Sequence, residues 1–153
     1  MFMSTHKPPR AYLTNVFQCR CPRCREGKLF KNGVSANISK NNEMNELCPV
    51  CGQPTEIEVG FYYGTGYVSY MLAVMVSGAT FVAWWLFIGF SFTDNRFAWW
   101  IGINAVILIL LQPWLMRLSR SLWMSWFVRY DPTWRDNMPR DYERIVPGQM
   151  NNW

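Results

Sequence analysis

A chain of 153 residues holds one domain at most, and here half of the residues are hydrophobic, 17% are aromatic and nine are tryptophan. That composition excludes an ordinary small soluble domain; membrane proteins use tryptophan at the interface, where an apolar ring and a polar N–H both find partners. The formal net charge of +5 is compatible with nucleic-acid binding, but its distribution follows the membrane rule: residues 1–66 hold eight Lys/Arg against five Asp/Glu, residues 91–96 one of each, and residues 117–153 six against four.

In chain order, residues 1–18 read as a polar N-terminal arm without the apolar stretch and cleavage site of a signal peptide, so the later apolar segments are expected to act as the targeting signal. Residues 19–59 carry all five cysteines. This segment has too few large apolar residues to fold by burial alone and is expected to need a metal. It is read as a small, turn-rich, zinc-ribbon-like head. Its ligands are Cys21, Cys24, Cys48 and Cys51, from Cys21-Pro22-Arg23-Cys24 and Cys48-Pro49-Val50-Cys51-Gly52. Two thiolates three positions apart reach one ion, and two such knuckles supply a tetrahedron. Zinc is the expected ion, a single iron the alternative, and disulfides the remaining reading, disfavoured in a reducing cytoplasm. A closed four-cysteine site is structural, because a catalytic zinc keeps a position open for water. Cys19 is the odd cysteine and reads as a half-buried thiol.

Residues 60–118 form an α-helical hairpin. Residues 67–90 carry no charge over 24 positions, roughly 36 Å of helix, and residues 97–115 are also uncharged and roughly 28 Å long, so each can cross a hydrocarbon core of about 30 Å. The alternative, two buried core helices, suits uncharged runs of this length less well. The short link 91–96 makes the helices antiparallel neighbours. Both termini then share one face, and the Lys/Arg excess assigns it to the cytoplasm. Trp84, Trp85, Trp99 and Trp100 form an aromatic belt on the far side, and Tyr62, Tyr63, Tyr67, Trp114, Trp123 and Trp126 one on the cytoplasmic side.

Gly60 to Tyr70 joins head to span with glycines and four tyrosines, and Ser69, Ala73 and Ser77 follow as a small-residue stripe. The segment reads either as packing within the hairpin or as a docking surface for a larger membrane partner, with a lipid or quinone cleft behind both. Asn104 and Gln112 are the polar residues of the second span and read as inter-helix glue. Residues 119–130, with Arg117 just before them, suit an amphipathic helix lying along the interface; the alternative continues the second span through a kink at Pro113. Residues 131–153 read as an extended cytoplasmic tail. His6 is the only histidine, and no catalytic triad, P-loop or dinucleotide fingerprint is present.

The two knuckles, Gly27-Lys28-Leu29-Phe30, Glu58-Val59-Gly60-Phe61-Tyr62-Tyr63-Gly64 and Leu118-Ser119-Arg120-Ser121-Leu122-Trp123 together resemble a bacterial domain-of-unknown-function family of two-helix inner-membrane proteins, most of all its Bacteroidetes-type branch. The resemblance covers about residues 18–131. It implies a cytoplasmic four-cysteine head on a membrane anchor, with the same four cysteines as ligands, and a link to assembly or membership of a haem-copper oxidase-type respiratory complex. The first knuckle departs from the pattern, continuing Arg25-Glu26-Gly27 where an immediate glycine is expected, and the tail lies outside the match.

The expected function is therefore that of a non-catalytic accessory subunit or assembly factor of an inner-membrane complex, with the lipid bilayer and that complex as partners. The alternatives are a membrane-anchored redox protein using iron or CxxC thiols, and a membrane-tethered nucleic-acid or ribosome binder using Arg20, Arg23, Arg25, Lys28 and Lys31.

Overall fold

The computed structural model describes residues 11–89 and 94–140. Residues 1–10 of the expected arm, with His6, residues 90–93 at the hairpin link and residues 141–153 of the expected tail lie outside the described residues.

Two long helices form the axis of the molecule: α3 over Thr65–Ile88 and α4 over Arg96–Phe127. Both are long and apolar enough to cross a membrane. They pack as a hairpin. Ser77 and Thr80 of α3 meet Asn104 of α4: the Thr80 hydroxyl lies 2.9 Å from Asn104 Oδ1, and Asn104 Nδ2 donates to Ser77 Oγ at 3.2 Å. Ser69 Oγ bonds Ser119 Oγ at 2.8 Å. The small-residue stripe therefore serves the hairpin, because only short side chains let two backbones approach closely enough for hydroxyls to bridge them. Gly89 leaves α3 at φ +80, and Arg96 Nη1 donates to the Ile88 carbonyl at 2.9 Å, satisfying an orphan acceptor of the helix end.

The expected separate interfacial helix is corrected here. Residues 119–127 are the last turns of α4, which runs through Pro113 without interruption. Their surroundings also differ from the expectation, since the head covers polar as well as apolar residues of this stretch. Arg117, Ser119 and Ser121 are buried, whereas Trp126 and Phe127 are 51% and 55% exposed. The polar face is covered because the head beside it is rich in carbonyls that no sheet uses. Arg117 donates to the carbonyls of Asn41, Asn32 and Gly33 at 2.9, 2.8 and 2.7 Å, and Ser121 Oγ donates to the Val16 carbonyl at 3.0 Å. The buried carbonyls of Asn41 and Val16 would otherwise be stranded in the packed seam.

The head wraps this end of α4. It contains two short helices, α1 over Tyr12–Phe17 and α2 over Ile38–Asn42, so part of the expected arm is helical. Three isolated antiparallel bridges, Arg20 with Lys28, Phe30 with Met44 and Leu47 with Pro54, are its only strand-like pairings among the described residues. Its core joins Cys21, Leu29, Phe30, Met44 and Cys48 to Phe61 and Tyr62 from the junction and to Met124 and Val128 from the end of α4. The head thus shares one core with the helices and does not stop at residue 59.

The junction is locked from within. Gly60 takes φ +79, turning the chain into a 3-10 turn over Phe61–Gly64. Gly64 lies under the Trp123 indole, where a Cβ would collide with the ring. Trp123 Nε1 donates to the Phe61 carbonyl at 2.8 Å, and the Tyr62 hydroxyl donates to the Thr55 carbonyl at 2.6 Å.

Residues 131–140 of the expected tail fold back on the head, with Trp134 packed against the core.

Candidate metal centre

The two knuckles are copies of one turn. In each, the residue after the second cysteine has a left-handed backbone: Arg25 at φ +59 and Gly52 at φ +69. In each, its N–H closes back on the first cysteine. Arg25 donates to the Cys21 carbonyl at 2.8 Å and Gly52 to the Cys48 carbonyl at 3.0 Å. Glycine adopts that conformation freely. Arginine does so at a cost of roughly 1–2 kcal/mol, offset in part by its guanidinium, which stacks 4.3 Å from the centroid of the Tyr130 ring. The glycine missing after Cys24 stands two positions later. Gly27 donates its N–H to Cys24 Sγ at 3.5 Å, and a Cβ on it would collide with Cys48 Sγ of the other knuckle.

These turns bring Cys21, Cys24, Cys48 and Cys51 together, every sulfur within 4.8 Å of the others. Cys21 lies 3.8 Å from Cys51, and Cys24 lies 3.8 Å from Cys48. Four thiolates at about 2.3 Å from a central ion form a tetrahedron with edges of about 3.8 Å. The donor set therefore fits a metal ion, and the size of the cage suits zinc and a single iron alike. All five cysteines are free thiols.

Electrostatics argue in the same direction. Cys21 and Cys24 are buried, Cys48 is buried and Cys51 half-buried, and four thiols packed this tightly cannot all ionise by themselves. The S–H of Cys21 pulls the Cys24 thiol down to about 6 and lowers that of Cys48, while Cys21, sharing its proton first with Cys24, is held far up. A divalent cation at the centre removes this competition and lets four thiolates coexist.

Cys19 stands outside the four-sulfur group. It is half-buried with φ +51, and burial, opposed by the Arg117 charge, pushes its thiol up to about 11, which makes it an unreactive sulfur.

The basic run around the first knuckle is largely engaged within the molecule. Arg20 donates to the Glu26 carbonyl at 2.6 Å, Arg25 stacks on Tyr130, and Lys31 pairs with Glu43 at 3.0 Å. Arg23 is buried and donates to the carbonyls of Cys51 and Asn137 at 3.3 and 2.7 Å and to Asp131 Oδ2 at 3.3 Å.

Two features were invisible in the sequence reading. One is the Arg23 latch, because nothing local ties residue 23 to residues 131–137. The other is the clamp formed by Arg117, which as the first charge after an apolar run reads as a membrane-boundary marker. A third feature was half visible. Of the four junction tyrosines, Tyr62 is buried, while Tyr63, Tyr67 and Tyr70 are 72%, 83% and 73% exposed; Tyr67 and Tyr70, three residues apart, share a face of α3, and Tyr63 lies in the 3-10 turn just before it.

The chain matches no family model, no curated protein and no solved structure.

Proposed function

We propose that this protein is a non-catalytic accessory subunit or assembly factor of an inner-membrane complex in a bacterium, of the respiratory, haem-copper oxidase type. In this reading α3 and α4 span the membrane, both termini are cytoplasmic, and a reduced zinc-ribbon-like head is held by zinc. The observation that carries the reading is the closed four-sulfur cage: its donors complete one tetrahedron and leave no position for water or substrate. The resemblance of the knuckles and the junction to a bacterial family of two-helix inner-membrane proteins adds the respiratory connection, by association and not by chemistry.

The partner surface is formed by the exposed Tyr63 of the 3-10 turn with Tyr67 and Tyr70 at the start of α3. Tyrosines at headgroup depth offer broad apolar faces with a hydroxyl at the tip, the composition favoured at protein interfaces. The engagement of Arg20, Arg23, Arg25 and Lys31 with groups of the same chain favours this reading over nucleic-acid binding.

The test is purification of the tagged chain in a mild detergent with metal analysis of the product. A colourless protein with one zinc per chain, co-migrating with a larger membrane complex and losing it in Tyr67→Ala, is expected. A coloured protein with stoichiometric iron moves the assignment to the redox alternative. A free chain under every growth condition overturns it.

A further inference from the structure

We propose that the cleft between the 33–41 loop of the head and α4 is a binding site for one glycerophospholipid molecule. The inference rests on the membrane-spanning reading of α4. The cleft encloses about 430 Å³, between Ala36 and Ile38 on the head and Leu108, Ile109, Gln112 and Met116 on the helix. That volume takes part of one lipid molecule, the rest of which stays in the surrounding bilayer.

Depth identifies the surroundings. A span of about 20 residues starting from Arg96 reaches its cytoplasmic boundary near residue 116. Residues 108–116 are therefore the last turns inside the hydrocarbon, and the head loop beside them dips to that level. The loop is dressed for it: Val34 and Ile38 are 61% and 62% exposed. These two side chains, set among the polar Ser35, Asn37 and Ser39, are the ones the loop offers to acyl chains at this depth.

Two polar groups give the occupant its chemistry. Gln112 is exposed to the cleft and makes no hydrogen bond to the described residues, in contrast to Asn104, which is satisfied twice by α3. A carboxamide inside that boundary needs a partner, and the ester carbonyls of a glycerolipid lie about one helical turn from it, at the boundary itself. Lys40, next in the chain to the cleft-lining Asn41 but itself outside the lining, has no ion-pair partner among the described residues, unlike Lys31. It complements a phosphate in the headgroup layer. One molecule satisfies the set, with its phosphate at Lys40, its ester carbonyl at Gln112 and an acyl chain along Leu108 and Ile109.

The cleft is braced open. Asn41 Nδ2 donates to the Pro113 carbonyl at 2.7 Å, and Arg117 Nε donates to the Asn41 carbonyl at 2.9 Å. These two bonds fix the loop to the helix at one edge of the cleft, so an occupant meets a preformed wall.

The full chain is reconstituted in nanodiscs of phosphatidylethanolamine and phosphatidylglycerol, released into detergent and weighed intact by native mass spectrometry. Wild type should retain one phospholipid per chain. Gln112→Leu and Lys40→Glu should each lower its occupancy about tenfold, the equivalent of one good polar contact. Ile38→Trp should abolish retention by filling the cleft. Val74→Leu, on the exposed face of α3, should retain the lipid. Metal content checks that each variant is folded. Equal retention in all variants, or retention of detergent or a neutral isoprenoid in place of phospholipid, overturns the proposal. Extraction of the chain from membranes by alkaline carbonate would instead sink the spanning reading on which it stands.

Discussion

Arg23 and Asp131, 108 residues apart, hold each other in both directions: the Arg23 guanidinium donates to Asp131 Oδ2 at 3.3 Å, and the Asp131 N–H donates to the Arg23 carbonyl at 3.2 Å. The pair couples the first metal knuckle to the chain leaving α4, so the segment from residue 131 to residue 140 acts as a strap over the cysteine cage. Asp131 is prepared for the role. Its carboxyl is lowered below the usual carboxylate range first by hydrogen bonding from the Thr133 hydroxyl, then by the Thr133 N–H and by Arg23.

Asp131→Asn should loosen the strap while leaving the cage intact. Limited proteolysis at neutral pH should cut the variant faster between residues 131 and 140, with metal content unchanged. The sign of the pH dependence follows from the depressed pKa: the contribution is complete above the ordinary carboxylate value and is lost as pH falls through the lower folded one. The difference in cleavage rate between wild type and variant, followed with an acid-active protease, should therefore shrink below about pH 4. A difference that persists undiminished at pH 3 would show that the carboxylate is not what the latch uses.

Gly27 and Gly33 make a matched pair. A methyl group at Gly27 collides with Cys48 Sγ, whereas the same group at Gly33 meets open space. Gly27→Ala should push the second knuckle off the tetrahedron and weaken metal binding at least about tenfold, as an error in a supporting group commonly does. Gly33→Ala should bind as wild type. Cobalt substitution reads both directly, since tetrahedral thiolate coordination gives an intense visible spectrum. Identical spectra and affinities for the two variants would mean that the site is more compliant than the geometry implies.

Metal removal should unfold the head and spare the hairpin. Residues 19–59 contain only one helix, of five residues, and three isolated bridges, so a metal held by the four sulfurs would supply the organising contacts that a sheet does not. The hairpin keeps its own bonds, Ser69 to Ser119 and Asn104 to Ser77 and Thr80. A chelator with a reductant should therefore leave far-UV helicity nearly unchanged while protease cleavage spreads through residues 19–59. Restored zinc should reverse it. Loss of helicity in step with the metal would mean that head and hairpin unfold as one unit.

The sequence was readable where chemistry is local. CxxC spacing names the four cysteines that come together because both members of a knuckle lie on one turn, and an uncharged run of 24 residues names a long apolar helix because nothing else accommodates it. It misled where a pattern has two physical causes. The alternation after Pro113 fits an interfacial helix and equally a helix whose polar face is covered by another part of the chain. Only the head's unused carbonyls, which come from residues with no local signature, decide between them. Likewise Gly60 and Gly64 announce a close approach without saying to what, and the answer, the Trp123 indole, lies some sixty residues away in α4.

Arg117 offers the sharpest test of how the head is held. Its guanidinium is buried, lies 4.6 Å from the centroid of the Phe30 ring and donates to three main-chain carbonyls. It has no carboxylate partner among the described residues, so its charge is met by carbonyl dipoles and a ring face. Arg117→Met keeps the apolar stem but removes all three hydrogen bonds and strands the buried Asn41 carbonyl. The expected loss is about 3 kcal/mol, within the range for breaking a buried network. Arg117→Lys keeps the charge but replaces a planar fork by a single point that cannot face three carbonyls at once, so it should fall between wild type and the methionine variant. Hydrogen exchange in the 32–42 segment is the measurement: protection should drop most in Arg117→Met, partly in Arg117→Lys, and not at all in Arg129→Met, an exposed arginine two residues beyond the end of α4. If lysine protects the segment fully, charge alone holds the head to the helix; if methionine does so, the seam is apolar packing and the three hydrogen bonds are incidental to it.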